Sequence, residues 1–344
     1  MTHYDPLYEL YDAIWAAGGF VNSHAHFDRA YTVSPQNMKD VVYNHLHQKW
    51  KYVDNYKRTA TEDDYYHNIK NAILNQRDLL TTHCLSFIDL DPIVGDKALK
   101  AALRAKEFAS QVGMNFNIAC QTLKGVMPYE CQVLLADSME KDMFDVVGSL
   151  PGADKGNEEK HIEYVLLLGS AYNKRVHVHV DQLNTAAEKE TELLARKTIK
   201  AGMEGRVSAV HSISLACHPK WYRKEVYKMS QDAGLSFIAC PTAWIDARRT
   251  EELAPIHNAI TPVDELLEHD LVVAIGSDNI HDIYKPYSTG DMRTELRFLL
   301  EATHIYNETA LIKIARSNGL DVCGFNDEDE GGNIGDITCG SGID

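Results

Sequence analysis

Eight short apolar runs, rich in β-branched residues, recur along this chain of 344 residues. They cover 20–27, 84–90, 115–121, 145–150, 175–181, 206–212, 235–241 and 271–277. Segments with helical apolar spacing lie between them, among them 97–111, 159–172, 186–201 and 219–233. A polar, amphipathic stretch over 36–58 precedes a helix that Thr61 and Asp64 would cap from its N-cap and N3 positions. Strand–helix alternation predicts parallel βαβ units. With eight such units and no Gly-X-Gly-X-X-Gly after the first strand, the predicted fold class is α/β, a closed (β/α)8 TIM barrel. A doubly wound sheet is the alternative.

The strand ends carry the chemistry. His24 and His26 close the first run, His179 the fifth and His211 the sixth, and Asp278 follows the eighth. Strand side chains alternate with period two, so a His-X-His pair puts both rings on one face. In a barrel the C-terminal strand ends converge on one mouth, where active sites sit. Imidazole nitrogen and carboxylate oxygen suit a divalent first-row metal, so these five residues form a candidate metal site. Any one of them alone is weak, since most histidines are solvated or satisfied in the core. His45 and His47 share the His-X-His spacing in a helical stretch, where neighbours two apart diverge. His177 reads as a satisfied core residue or a support behind the candidate ligands, His83 as preceding its strand, and His281 as able to reach the pocket. His218, His257 and His269 fall in loops or helices and receive no role.

Bulk properties narrow the partners. Acidic residues outnumber basic ones 50 to 34, a net charge of −16, which argues against a nucleic-acid backbone as ligand. The seven cysteines show no paired spacing, and Cys84, Cys120 and Cys240 lie in apolar runs as buried free thiols. That usage, with no signal-like start and no membrane-length apolar run, leads us to expect a cytoplasmic protein with no membrane partner. Residues 1–325 read as one metal-dependent hydrolase barrel and 326–344 as an acidic, glycine-rich tail. A homo-oligomer is compatible with the chain, though no segment announces an interface.

Four motifs together carry a family resemblance: His-Ala-His-Phe-Asp-Arg at 24–29, His-Val-Asp at 179–181, Val-His-Ser at 210–212 and Gly-Ser-Asp-Asn-Ile-His-Asp at 276–282. The set resembles the amidohydrolase superfamily, in the branch of cytosine deaminase and N-isopropylammelide isopropylamidohydrolase. Residues 119–122, 145–151 and 286–292 resemble further segments of that branch, and the likeness runs over roughly 18–320. The resemblance implies a C–N bond hydrolase acting on a small nitrogen heterocycle or amide. It implies one divalent metal ion, with zinc preferred and iron the alternative. Strand four ends without a lysine, so nothing bridges a second ion.

Two departures stand out. Deaminases of the branch carry a glutamate three residues past the strand-five histidine, and this chain has Gln182. An amide orients a substrate but does not exchange a proton at useful pKa. Asp181 is a candidate substitute acid, or else a cap for the following helix. Only 23 residues precede His24, which leads us to expect a barrel without the family's accessory β-sandwich.

The resulting expectation is attack by a metal-bound hydroxide. His24, His26, His179 and Asp278 would hold the metal, with His211 either ligating or bonding the water and oxyanion. Asp278 would carry the proton to the leaving nitrogen. Gln121 matches the family position that contacts a planar heterocycle, and Arg29 stands where ammelide-type enzymes have lysine; a satisfied core amide and an ion-paired arginine are the plainer alternatives. Asn279 and Asp282 flank the same mouth, and Trp244 and Tyr284 are candidate walls. Gln182 favours a variant chemistry on an exocyclic N-alkyl group or acyclic amide. A non-catalytic metal-binding barrel is the remaining alternative.

Overall fold

The structure, a computed structural model, describes residues 4–40, 44, 46–243 and 259–325. His45, Trp244, His257 and the 326–344 tail lie outside the described residues, as does the side chain of His47.

The eight strands are β1 Phe20–Ala25, β2 Thr81–Asp89, β3 Asn115–Gln121, β4 Val146–Ser149, β5 Arg175–Val180, β6 Val207–His211, β7 Ser236–Ala239 and β8 Val272–Ile275. They pair in chain order, all parallel, in one eight-stranded sheet, the single sheet among the described residues. Helix α1 (Pro6–Ala16) precedes β1 and had no counterpart in the sequence reading. Between β1 and β2 come α2 (Pro35–Asp40), α3 (Leu46–Thr59) and α4 (Glu62–Asp78), so the amphipathic 36–58 stretch resolves into α2 and α3. Among the described residues one α-helix then follows each of β2 to β7: α5 (Lys97–Gln111), α6 (Tyr129–Glu140), α7 (Glu158–Ala171), α8 (Glu190–Ala201), α9 (Lys220–Asp232) and α10 (Val263–Glu268). After β8 come α11 (Met292–Thr303), α12 (Glu308–Ala315) and α13 (Ser317–Cys323). The expected capping box of Thr61 and Asp64 starts α4.

Closure rests on the seam between β8 and β1. The Asp278 N–H donates to the His24 carbonyl at 2.9 Å, and Ala25 bridges Asp278 in parallel. Asn22 adds side-chain bonds across the seam, accepting from the Ser277 N–H (3.0 Å) and donating to Ser277 Oγ (2.7 Å). The backbones come so close at Gly276 that a Cβ there would lie 2.6 Å from His24 Cβ and 2.8 Å from its carbonyl oxygen. Glycine is required here for approach, not for dihedral freedom.

Inside the barrel, Val21, Leu85, Phe87, Ala119, Val210, Ile238 and Ala274 pack with Leu320, Val322 and Phe325. The last three belong to α13 and the residues after it, which cover the end of the barrel opposite the mouth. His177 Nε2 lies 2.8 Å from the Val322 carbonyl, in keeping with a core role, and Asn318 donates to the Val273 carbonyl. A larger apolar layer lies between the sheet and the outer helices. Cys84, Cys120 and Cys240 are buried free thiols, as expected.

Strand β2 begins three residues earlier than the apolar run suggests. His83 therefore lies within it, with Nδ1 2.9 Å from Thr82 Oγ1 and Nε2 2.8 Å from Asn115 Nδ2. Polar side chains at a strand start read as a loop when their partners are distant in sequence. No described helix is long and apolar enough to cross a membrane.

Candidate metal centre and active site

Each expected ligand lies at or just past a strand end, and the barrel brings all five together. Ring centroids are 4.9 Å apart for His24 and His26, 4.7 Å for His24 and His179, and 5.3 Å for His179 and His211. Asp278 Oδ1 lies 3.3 Å from His26 Nε2 and 3.5 Å from His24 Nε2. Two ligand groups, His24–His26–His179 and His24–His211–Asp278, each keep one donor atom per residue within 4.8 Å of the others. Phe87 from β2 packs its ring against His24 and His179 from inside the barrel. His179 Nδ1 is 2.9 Å from the Ser149 carbonyl, so it donates there and turns Nε2 towards the centre.

The electrostatics suit a cation. Both nitrogens of His24, and Nδ1 of His26 and of His211, are buried with no hydrogen-bond partner. Such groups cost stability unless something else satisfies them. Burial pushes the imidazoles down, His26 and His211 to about 3, so all are neutral donors at pH 7. Burial opposes ionisation of Asp278, but contacts to His24 and His26 outweigh it and hold the carboxyl well below its usual range. Four neutral imidazoles and one carboxylate with unmet valences fit a divalent ion such as zinc or iron. His211 (φ 75°) and Asp278 (φ 60°) both adopt left-handed backbone, the kind of local strain that clusters at functional sites.

His26, His179, His211 and Asp278 floor a narrow cavity of about 90 Å³ that opens to solvent. Arg29, Gln121, Gln182 and Asn279 complete the polar part of its lining. Leu46 and Trp50 of α3, with Leu123, Leu150, Leu183, Ile213, Ala243 and Tyr284, form apolar walls. The α3 insertion thus covers part of the mouth, and Val53 on the same helix joins Leu123, Leu150 and Tyr284 in a small apolar cluster.

Two expected site residues turn away. Asp181 does not line the cavity; its carboxylate accepts the N–H groups of Glu190 (2.7 Å) and Thr191 (3.2 Å) and so caps α8 from nine residues upstream. The free N–H groups and positive end of a helix hold an anion well, which is why the cap reading prevails and why α8 starts at Glu190 instead of 186. Asp181→Ala is expected to cost about 1–2 kcal/mol in urea unfolding with kcat within severalfold of wild type; a hundredfold loss of kcat at full stability would return Asp181 to catalysis. Asp282 is likewise outside the cavity lining. It accepts from Asn279 Nδ2 (2.5 Å) and from the N–H groups of Tyr284 and Lys285. His281 points elsewhere too, with Nδ1 3.1 Å from the Pro286 carbonyl.

Sequence reasoning missed a buried charge cluster beside the cavity. Asp89, ending β2, pairs with Lys57 of α3 (2.8 Å) and with Arg29 (3.2 Å), and Lys57 also pairs with Asp91 (2.6 Å). Burial disfavours the Asp89 carboxylate, but Lys57 and Arg29 more than compensate and hold it well below the usual range. Burial, then the Asp89 charge, push Asp28 the other way. A second missed network runs from Ser149 Oγ to His161 Nε2 (2.9 Å) and from His161 Nδ1 to Asp154 (2.6 Å), beneath the carbonyl that orients His179.

A (β/α)8 barrel with histidines and an aspartate gathered at its mouth is an architecture of hydrolases that use a bound cation. Comparison with known proteins gives the family. The sequence pattern of the amidohydrolase family matches residues 136–328. A Haemophilus influenzae protein, described only as uncharacterized, is 42% identical over 260 residues, 74% of this chain and 93% of that protein. N-isopropylammelide isopropyl amidohydrolase of Pseudomonas sp. (strain ADP) is 25% identical over 288 residues, 80% of this chain and 65% of that enzyme. Among solved structures, 5-methylcytosine deaminase of Klebsiella pneumoniae with 5-fluorocytosine shares the fold, with a TM-score of 0.80 and 23% identity over 88% of this chain and 74% of that one. The chain belongs to the amidohydrolase family and is a hydrolase of C–N bonds. The non-catalytic alternative is thereby set aside.

Proposed function

We propose that the protein hydrolyses an exocyclic C–N bond of a small nitrogen heterocycle and releases an amine. The observation that carries this reading is Gln182 in the cavity lining, which it shares with the candidate ligands and with apolar side chains. An amide at this position cannot deliver a proton to a ring nitrogen. Leu46, Trp50, Leu150 and Ile213 offer an apolar surface for an N-alkyl substituent. The similarity to an isopropyl amidohydrolase supports the same direction.

His24, His26, His179 and Asp278 would hold one divalent ion, zinc in preference to iron, with His211 beside it. Such an ion supplies Lewis acidity and lowers the pKa of a bound water to about 7. The chain's own groups do the rest. Asp278, ionised and in contact with His26, takes the proton of the attacking water and passes it to the leaving nitrogen. His211 donates to the oxyanion that develops. Gln121, Asn279 and Arg29 fix the ring, and Gln182 orients it.

The test is a panel of N-alkylated and unsubstituted pyrimidines and triazines, with metal content measured on the same preparation. Amine release with about one equivalent of zinc or iron is expected, abolished by chelation and restored by the ion. A second reading, ring deamination, draws on the likeness to a pterin deaminase 23% identical over 49% of the chain. Ammonia as the main product, unchanged in Gln182→Glu, would favour that reading and sink the first.

A further inference from the structure

Two of the three amide side chains in the cavity lining, Gln121 and Asn279 but not Gln182, have their NH2 groups engaged by buried carboxylates. Gln121 Nε2 donates to Asp89 Oδ1 at 3.1 Å. Asn279 Nδ2 donates to Asp282 Oδ2 at 2.5 Å. An ionised carboxylate is acceptor only, so each amide must turn its nitrogen to the carboxylate and its oxygen away. Gln121 Oε1 is buried and without a partner in a residue that lines the cavity. The same two carboxylates grip Arg29, the one arginine or lysine of the lining among the described residues: Asp89 Oδ2 accepts from an Arg29 terminal nitrogen at 3.2 Å, and Asp282 Oδ2 lies 3.7 Å from Arg29 Nε. Lys57, itself buried, lies 2.8 Å from the same Asp89 oxygen that Arg29 contacts and favours its charged form.

We infer that Asp89 and Asp282 are specificity-determining positioning residues that set the hydrogen-bond polarity of the pocket, with Gln121 and Asn279 as acceptors and Arg29 as donor. The pocket then selects a ring edge that carries N–H next to a carbonyl and rejects an edge of bare ring nitrogens. A lone pair placed against Gln121 Oε1 leaves two acceptors facing each other, and a buried mismatch of this kind is the strongest source of discrimination available to a small site. This inference rests on the proposed binding of a heterocycle in the cavity, but not on which bond is cut.

The test uses two probes with the same ring skeleton, uracil with ring N–H groups beside carbonyls and pyrimidine with ring lone pairs only. Their binding to the purified enzyme, with metal content measured, is followed by calorimetry. Wild type is expected to prefer uracil by about tenfold or more. Asp89→Asn frees Gln121 to turn over, so uracil affinity falls about tenfold while pyrimidine affinity holds or rises. Gln121→Leu, which disturbs no charge pair, loses uracil affinity and keeps pyrimidine even where Asp89→Asn fails to fold. Equal loss of both probes in the variants, or a wild type that binds pyrimidine as well as uracil or binds neither, overturns the inference. The predicted preference together with ammonia instead of amine release would sink the functional proposal and leave this one standing.

Discussion

Asp278→Asn is expected to lower kcat by about a thousandfold, the middle of the range for a lost proton-transfer group. Asparagine preserves size and can still bond the neighbouring imidazoles, which lie 3.3 and 3.5 Å from the carboxylate. It cannot accept the proton of an attacking water at any accessible pH. Because Asp278 is also a candidate ligand, metal content must be measured beside the rate. A variant that keeps its metal and loses the rate assigns the proton transfer to Asp278. One that retains activity within tenfold with full metal content would show that the proton travels by another group. Pre-steady-state measurement separates the chemical step from product release, so an unchanged kcat set by release would not be mistaken for an unaffected Asp278.

The second large effect concerns the backbone. Gly276→Ala places a methyl group 2.6 Å from His24 Cβ and 2.9 Å from its amide nitrogen, closer than real Cβ contacts approach. The clash is with main chain on β1, which cannot rotate aside as a side chain would. Overpacking ordinarily costs about 1–3 kcal/mol, and about 3 kcal/mol or more is expected here. The seam also carries the centre: Asp278 N–H bonds the His24 carbonyl, so widening it separates two ligands. Loss of metal affinity should therefore accompany the drop in urea midpoint. Wild-type midpoint and metal content together would mean that the seam tolerates more separation than its geometry implies.

The barrel and the gathering of five candidate ligands at its mouth were legible because a strand end is a local signal. An apolar run says where the strand is, and the residue closing it says what faces the mouth. Gln121, Arg29 and Gln182 were singled out by the family resemblance and Asn279 by its place beside Asp278, and all line the cavity. Orientation was harder. Asp181 follows the candidate ligand His179 by two positions, which suggests a shared face, but it lies past the end of β5 with φ 53° and turns to α8. The charge cluster was invisible for another reason. Lys57 sits on an amphipathic helix among residues that read as solvated, and its partners Asp89 and Asp91 follow more than thirty positions later. A buried lysine and a surface lysine have the same spelling until the fold brings a carboxylate to one of them. The role of α3 as part of the mouth was hidden similarly, since Leu46 and Trp50 look like an ordinary apolar stripe.

The order in which the strands are joined has a consequence for the newborn chain. The first and eighth strands meet only at the seam, and α13, which fills the far end of the cylinder, is made later still. Until that stretch leaves the ribosome, the growing sheet carries two bare edges and an open interior, the features that invite self-association. His24 waits through nearly all of synthesis for Asp278. Supplying the missing half as a separate polypeptide should therefore rescue an arrested N-terminal fragment in a way that adding the ion alone does not.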